Sequence, residues 1–170
     1  MVTRCTLMIR TIEEKDIPDI LDWYNWYIRN STATFETEEL TLNEFKQRVR
    51  AITEKYPWII LEEDAKPVGY AYYSDFNSRQ AYACTVDIAI YLDPNSCHRG
   101  YGKTLMKEMI DIARKAGYKN IVSLVTAGNI ASEKLHERFG FVKKATFEEI
   151  GYKHNQWLAV SYYYLQLEDK

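Results

Sequence analysis

The chain of 170 residues changes its period abruptly at one point. Residues 57–63, 67–76 and 82–92 are rich in Trp, Ile, Val and Tyr and are punctuated by the turn-prone EDAKP and NSRQ. This predicts three antiparallel strands joined by short turns. After Asp93-Pro94-Asn95-Ser96 the spacing becomes helical, with Leu105, Met106, Met109, Ile110 and Ala113 on one face and Gly117 at the C-cap position. Between the two patterns lies Cys97-His98-Arg99-Gly100-Tyr101-Gly102-Lys103-Thr104, a glycine-bearing loop from strand into helix. Such a loop exposes backbone N–H groups where a helix N-terminus adds partial positive charge, so it favours a phosphate or pyrophosphate. Arg99 and Lys103 add Coulomb attraction.

Spacing separates the motifs that compete for this loop. A dinucleotide-binding GxGxxG needs glycine at 105, which is Leu105. A P-loop matches at Gly102-Lys103-Thr104 but needs glycine at 97, which is Cys97. A plain helix-capping glycine turn remains open at this stage.

The rest of the chain alternates the same two periods. Residues 7–12 read as a strand, and Ile17, Ile20, Leu21, Tyr24 and Ile28 follow at helical spacing after Asp16, with Pro18 in the first turn. Thr41 and Glu44 form a capping box for a second helix carrying Phe45, Val49 and Ile52. The polar segment NSTATFETEEL between these helices reads as a candidate substrate lid. A strand at 120–126, a short helix near 130–138 and strands around 141–150 and 156–167 complete an α+β reading with one mixed sheet. No repeat or Gly/Ser-rich linker divides the chain, so residues 1–170 are expected to form a single domain.

Composition excludes several function classes. A formal charge of −2 gives no basic track for nucleic acid. Cys5, Cys84 and Cys97 lack both CxxC spacing and matching histidines, so neither a disulfide framework nor a metal centre is expected; the neighbouring Cys97 and His98 find no further ligands. No stretch approaches about 18 apolar residues, and no signal-peptide pattern opens the chain, so the expected setting is the cytoplasm, away from membranes.

Arg99-Gly100-Tyr101-Gly102 resembles the RGxGxG-type loop of the GNAT acetyltransferase superfamily. Downstream, Asn129-x-x-Ser132, Leu135-His136-Glu137 and Gly140-Phe141 resemble that family's N-x-x-S…LHE…GF signature. From about residue 9 to 167 the chain is similar to the phosphinothricin and methionine sulfoximine acetyltransferase branch. The matching pieces include Tyr24-Asn25, Ser31 to Glu36, Tyr56-Pro57-Trp58, Gly69-Tyr70-Ala71-Tyr72, Arg79, Ala81-Tyr82, Thr85-Val86, Ile90-Tyr91, Gly151-Tyr152-Lys153 and Trp157. The resemblance implies the GNAT fold, a mostly antiparallel central sheet splayed in the middle with helices on both faces. It implies acetyl-CoA as co-substrate, no metal, and transfer of acetyl to the amino group of a small amino-acid-like acceptor by direct attack on the thioester.

By that resemblance the cofactor loop spans Cys97, His98, Arg99, Gly100, Tyr101, Gly102 and Lys103, with Asn129 and Ser132 also on the cofactor. The backbone of Ile88, Ala89 and Ile90 is expected to pair with the pantetheine arm as an added strand would, and one N–H there to polarise the thioester carbonyl. An ammonium must lose a proton before its nitrogen attacks. Asp87 stands where the branch carries glutamate, and a solvent-facing edge carboxylate is the alternative. Losing one methylene moves the carboxylate back by about 1.5 Å, which calls for a water relay or a smaller acceptor. His136 is a candidate proton donor to the departing thiolate or an orienting group, with a structural histidine as the alternative; for Asn129 the alternative is helix capping. Arg79 is the cation expected on the acceptor's anionic group, or else a solvated turn residue. Asn77 and Ala83 stand where relatives carry further arginines. Phe35, Tyr72, Asn77, Tyr82, Thr85 and Val86 are expected around the acceptor, and Trp157 as a wall, although aromatics are often simply core.

Other amines (a polyamine, an aminoglycoside, a protein N-terminus) stay open, as do a non-catalytic acyl-CoA-binding module and, more distantly, a nucleotide site. A polyamine would favour several carboxylates in the pocket; an anionic acceptor would favour Arg79. A homodimer is expected through the C-terminal strands around Tyr162-Tyr163-Tyr164 and the Trp23/Trp26 face.

Overall fold

The computed structural model describes residues 6–97 and 99–167. Strand β1 (Leu7–Thr11) leads into α1 (Ile17–Asn30) and α2 (Leu42–Thr53). Strands β2 (Trp58–Glu63), β3 (Lys66–Asp75) and β4 (Thr85–Leu92) follow, then α3 (Tyr101–Lys115), β5 (Asn120–Thr126), α4 (Ile130–Arg138), β6 (Val142–Lys153) and β7 (Gln156–Gln166). The sheet order is β1-β2-β3-β4-β5-β7-β6, and every pairing is antiparallel except β4 with β5. The α+β expectation and the mixed, mostly antiparallel sheet are both observed.

Local chemistry accounts for the element ends. Thr41 and Glu44 close the expected capping box: the Glu44 N–H donates to the Thr41 hydroxyl at 3.3 Å and the Thr41 N–H to the Glu44 carboxylate at 2.8 Å. Asp16 makes no cap bond to α1 itself; its buried carboxylate accepts from the Glu13 N–H at 2.8 Å and from Arg10, which donates two hydrogen bonds of 2.7 Å to it and also binds Glu62. The expected strand at 82–92 begins instead at Thr85, because Gln80–Tyr82 winds into one turn of 3-10 helix. Strand β6 runs on to Lys153 through a bulge between Phe147 and Gly151, where Glu149 takes φ 48.

Two cores flank the sheet. On one face α3, with Leu105, Met106, Met109 and Ile110, packs on Leu61, Ala71, Tyr73, Val86, Ile88, Ile121 and Val125. On the other, Ile20, Tyr24 and Ile28 of α1 and Phe45 and Val49 of α2 cover Trp58, Ile60 and Tyr70. Alternation along β3 and β4 therefore sends Tyr70, Tyr72, Asp87 and Tyr91 toward the α1/α2 side. Aromatic rings fill that side: Trp58 stacks on Tyr72 at 4.1 Å between centroids, and Tyr70 lies 5.5 Å from Tyr91.

The segment between α1 and α2, read from sequence as a lid, is a pinned wall. Thr126 donates to the Thr32 carbonyl at 2.5 Å, and the buried Lys153 ammonium donates to the carbonyls of Ser31 and Thr34, each at 2.8 Å. Arg48 grips Glu36 through both carboxylate oxygens, and the Tyr24 hydroxyl donates to the same carboxylate. These contacts leave the backbone of 31–36 little freedom.

Candidate active site

The parallel pairing of β4 with β5 lasts for three residues only, Thr85 with Asn120, Val86 with Ile121 and Asp87 with Val122. Beyond them the strands part. Residues 88–92 keep β3 as their neighbour, while 123–126 keep β7. The gap opens a cleft of about 1030 Å³ whose walls include Ile88, Ala89, Ile90, Ser123, Leu124, Val125 and Thr126. A strand flank with unpaired N–H and C=O groups inside a cleft accepts an extended ligand by strand addition. The observation fits the amides of a pantetheine arm.

Asp87 sits where the gap begins and lines the cleft. No described residue donates a hydrogen bond or forms an ion pair with it, and burial alone pushes its pKa up to about 7. The carboxylate is thus poised to exchange a proton near neutrality, as a general base requires. It is also the one acidic side chain among the described residues that line the cleft.

The loop before α3 delivers its N-terminus to the same cleft. Gly100 takes φ 86 as the N-cap, and Cys97, Gly100, Tyr101, Gly102 and Lys103 line the cavity. The side chain of Tyr101 is buried in the α3 core, so Tyr101 offers only its backbone. Arg99 does not line the cleft: its guanidinium pairs with Glu63 at 2.8 Å and lies over the Tyr101 ring. His98 lies outside the described residues. Two cations that the sequence reading missed, Lys134 and Arg138, reach the cleft from α4 one helical turn apart. Both line the same cleft as Lys103, and the phosphates of a coenzyme A are the anionic groups such a set fits.

Helix α4 starts at Asn129, whose side chain accepts from the Ser132 N–H at 3.3 Å, so the capping role is real; Asn129 and Ser132 also line the cleft. Buried His136 rests edge-on against Phe141, and its Nδ1 lies 2.7 Å from the Ser132 carbonyl oxygen. A carbonyl can only accept, so Nδ1 carries the proton and Nε2 keeps its lone pair. Burial lowers the pKa, which keeps the ring neutral. His136 can therefore give a proton through Nε2 only after taking one up.

The residues expected around the acceptor divide. Tyr72 lines the cleft near Asp87, together with Ser31, Ala33 and Ser74. Phe35 packs on Gly151 at the outer side of the pinned segment. Asn77, Arg79 and Tyr82 lie exposed in the β3–β4 connection and outside the cleft lining; the Arg79 N–H bonds the Asn77 side chain at 3.1 Å, and Tyr82 meets Phe76 edge-on. Thr85 is buried and accepts from Asn120 at 3.0 Å. Val86 points into the α3 core at 0% exposure and cannot touch an acceptor, because strand alternation puts it on the face opposite Asp87. Trp157 is exposed beside Tyr152 at the β6–β7 hairpin. Tyr27, which donates to the Leu92 carbonyl at 3.0 Å on the cleft wall, had no sequence signal beyond its place in an apolar helix face. Among the described residues no group of three or more His, Cys, Asp or Glu is gathered that could hold a metal ion.

Comparison with known proteins agrees with this geometry. The model of the acetyltransferase (GNAT) domain family matches residues 9–159. The chain is 30% identical to a phosphinothricin N-acetyltransferase of Streptomyces viridochromogenes, covering 94% of this chain and 87% of that one. It is 29% identical to an L-methionine sulfoximine/L-methionine sulfone acetyltransferase of Salmonella typhimurium over 96% of each. The crystal structure of a GNAT superfamily phosphinothricin acetyltransferase from Sinorhizobium meliloti in complex with AcCoA superposes with a TM-score of 0.91 at 29% identity, covering 95% of this chain and 89% of that one. With its split sheet, a glycine-bearing loop that brings the α3 N-terminus to the cleft and a family match over most of its length, the chain belongs to the GNAT acetyltransferases.

Proposed function

We propose that this acetyl-CoA-dependent N-acetyltransferase acts on the primary amine of a small amino-acid-like acceptor of the methionine sulfoximine or phosphinothricin type, with Asp87 as the general base. One observation carries the reading: a desolvated carboxylate without a hydrogen-bond or ion-pair partner among the described residues stands where the β4–β5 gap opens. The acceptor enters from the side of Ser31, Ala33 and Tyr72, while acetyl-CoA lies along Ile88–Ile90 with its phosphates at the α3 N-terminus. Asp87 takes the proton that the acceptor ammonium must lose. Neutral His136, with Nε2 free, orients the reacting groups and can pass on a proton it has received. A single carboxylate among the described residues that line the cleft argues against a polyamine, whose several ammonium groups would call for several acids.

Supporting observations extend to assembly and setting. Val142, Phe147, Ile150, Tyr152 and Trp157 are exposed on β6, β7 and their hairpin, an apolar surface suited to a second copy of the chain. Of the residues first expected there, Tyr163 is core and Trp26 belongs to the cleft. Among the described residues no helix is long and apolar enough to cross a membrane.

The test is release of thiol from acetyl-CoA by the purified protein, with methionine sulfoximine, phosphinothricin, free amino acids, spermidine and a peptide N-terminus offered in parallel. Turnover with the amino-acid-like compounds that collapses in Asp87→Asn supports the reading. Turnover only with spermidine or peptide overturns the acceptor assignment, and coenzyme A binding without any turnover overturns the enzyme.

A further inference from the structure

Ser74 is the residue directly opposite Asp87 in the antiparallel β3–β4 pairing. Both side chains stand on the α1/α2 side of the sheet and both line the cleft. The Ser74 hydroxyl has no hydrogen-bond partner among the described residues, and neither has Asp87. Directly opposed residues in an antiparallel pair hold their β-carbons about 4.5–5.5 Å apart. The two short side chains make no hydrogen bond to each other, so the cleft presents a hydroxyl and a carboxylate side by side across the β3–β4 pair. A water held there gains the two or more polar partners that an ordered water needs.

We propose that Ser74 is a positioning residue that anchors, opposite Asp87, the water through which the acceptor's amino group delivers its proton. The inference rests on the reading of Asp87 as the base. An aspartate carboxylate stands about 1.5 Å further back than a glutamate on the same backbone, and the anchored water spans that shortfall. In the step the ammonium N–H bond breaks and its proton goes to the water, while the water gives one proton to Asp87. The water is regenerated, one proton has moved to the carboxylate, and the amine keeps the electron pair with which it attacks the thioester carbonyl.

The experiment is a double-mutant cycle in steady-state kinetics, with calorimetric binding of coenzyme A as the structural control. Ser74→Ala is expected to lower kcat about tenfold with acceptor KM and coenzyme A affinity nearly unchanged, and Ser74→Thr, which keeps the hydroxyl, to restore most of the loss. Asp87→Glu lengthens the base, so it retains activity, and Ser74→Ala in that background costs less than about twofold. An unaltered kcat in Ser74→Ala, an inactive Asp87→Glu, or the same fold-loss in both backgrounds overturns the relay. The underlying reading fails differently: Asp87→Asn would then turn over like the unmodified enzyme.

Discussion

Gly151 and Phe35 are in such close contact that a β-carbon on Gly151 would lie 2.4 Å from the Phe35 ring. The β6–β7 hairpin is thereby keyed to the 31–36 segment, which lines the cleft through Ser31 and Ala33. Gly151→Ala forces the ring away, at a cost of about 1–3 kcal/mol. Thermal unfolding is expected to show that loss, and kinetics a severalfold rise in acceptor KM with unchanged coenzyme A affinity. Phe35→Ala in the same chain removes the clash and recovers most of the stability.

Lys153 holds the same wall from beneath. Its buried ammonium satisfies the Ser31 and Thr34 carbonyls. Lys153→Met keeps the length of the side chain and removes the donors, leaving buried acceptors unpaired at about 1–3 kcal/mol. Urea denaturation is expected to show the loss, and hydrogen exchange to quicken across residues 31–36.

The raised pKa of Asp87 sets two pH dependences. The carboxylate must be ionised to accept a proton, so kcat/KM is expected to rise with an inflection near 7. The groups nearest on its face, Tyr72 and Tyr91, are themselves pushed to ionise above their ordinary range by burial and stay neutral there. Stability runs the other way. The folded state holds the Asp87 proton up to about 7, whereas an unfolded aspartate releases it near its ordinary value of 3.8, so this site's contribution to stability falls as pH climbs between those values and is flat above. Asp87→Asn is therefore expected to abolish the kinetic inflection together with most turnover, and to raise Tm relative to the parent by more at pH 8 than at pH 5.

Gly100 supplies the phosphate loop with a left-handed backbone, φ 86, and open space surrounds the position of its missing side chain. Gly100→Ala thus meets no clash and suffers only the backbone penalty, about 1 kcal/mol. Its expected signature is a raised KM for acetyl-CoA with the acceptor KM unchanged.

Much of this architecture was legible because the two periods are clean. The capping box at Thr41 and the helical face through Leu105, Met109 and Ala113 identify themselves, and the loop at 97–104 with Asn129 and His136 pointed to the cofactor side. The acceptor side was harder. Arg79 was expected as the anion-binding cation from its chemistry and from the branch resemblance; it sits in an exposed turn outside the cleft lining, because Gln80–Tyr82 coil before β4 starts. Val86 matched a motif whose side chain serves the core. Ser74 and Lys134 escaped notice because a lone serine or lysine carries no periodic signal, and Lys153 entered only as a piece of the resemblance with no role attached; only register and burial reveal their work. Glu63 shows the same limit, since nothing local to Arg99 announces an ion pair formed across the fold.

The early parting of β4 from β5 bears also on solubility. An open strand flank at the rim of a sheet invites other chains to add on and starts aggregation. Here the flank of residues 88–92 is open, yet it lies in mid-sheet, with Tyr27 on the Leu92 carbonyl and α4 residues on the facing wall. A slender ligand can slide into that slot, whereas a second folded chain cannot bring a strand to it. The molecule thus keeps a permanently incomplete sheet without the hazard of recruiting its own kind.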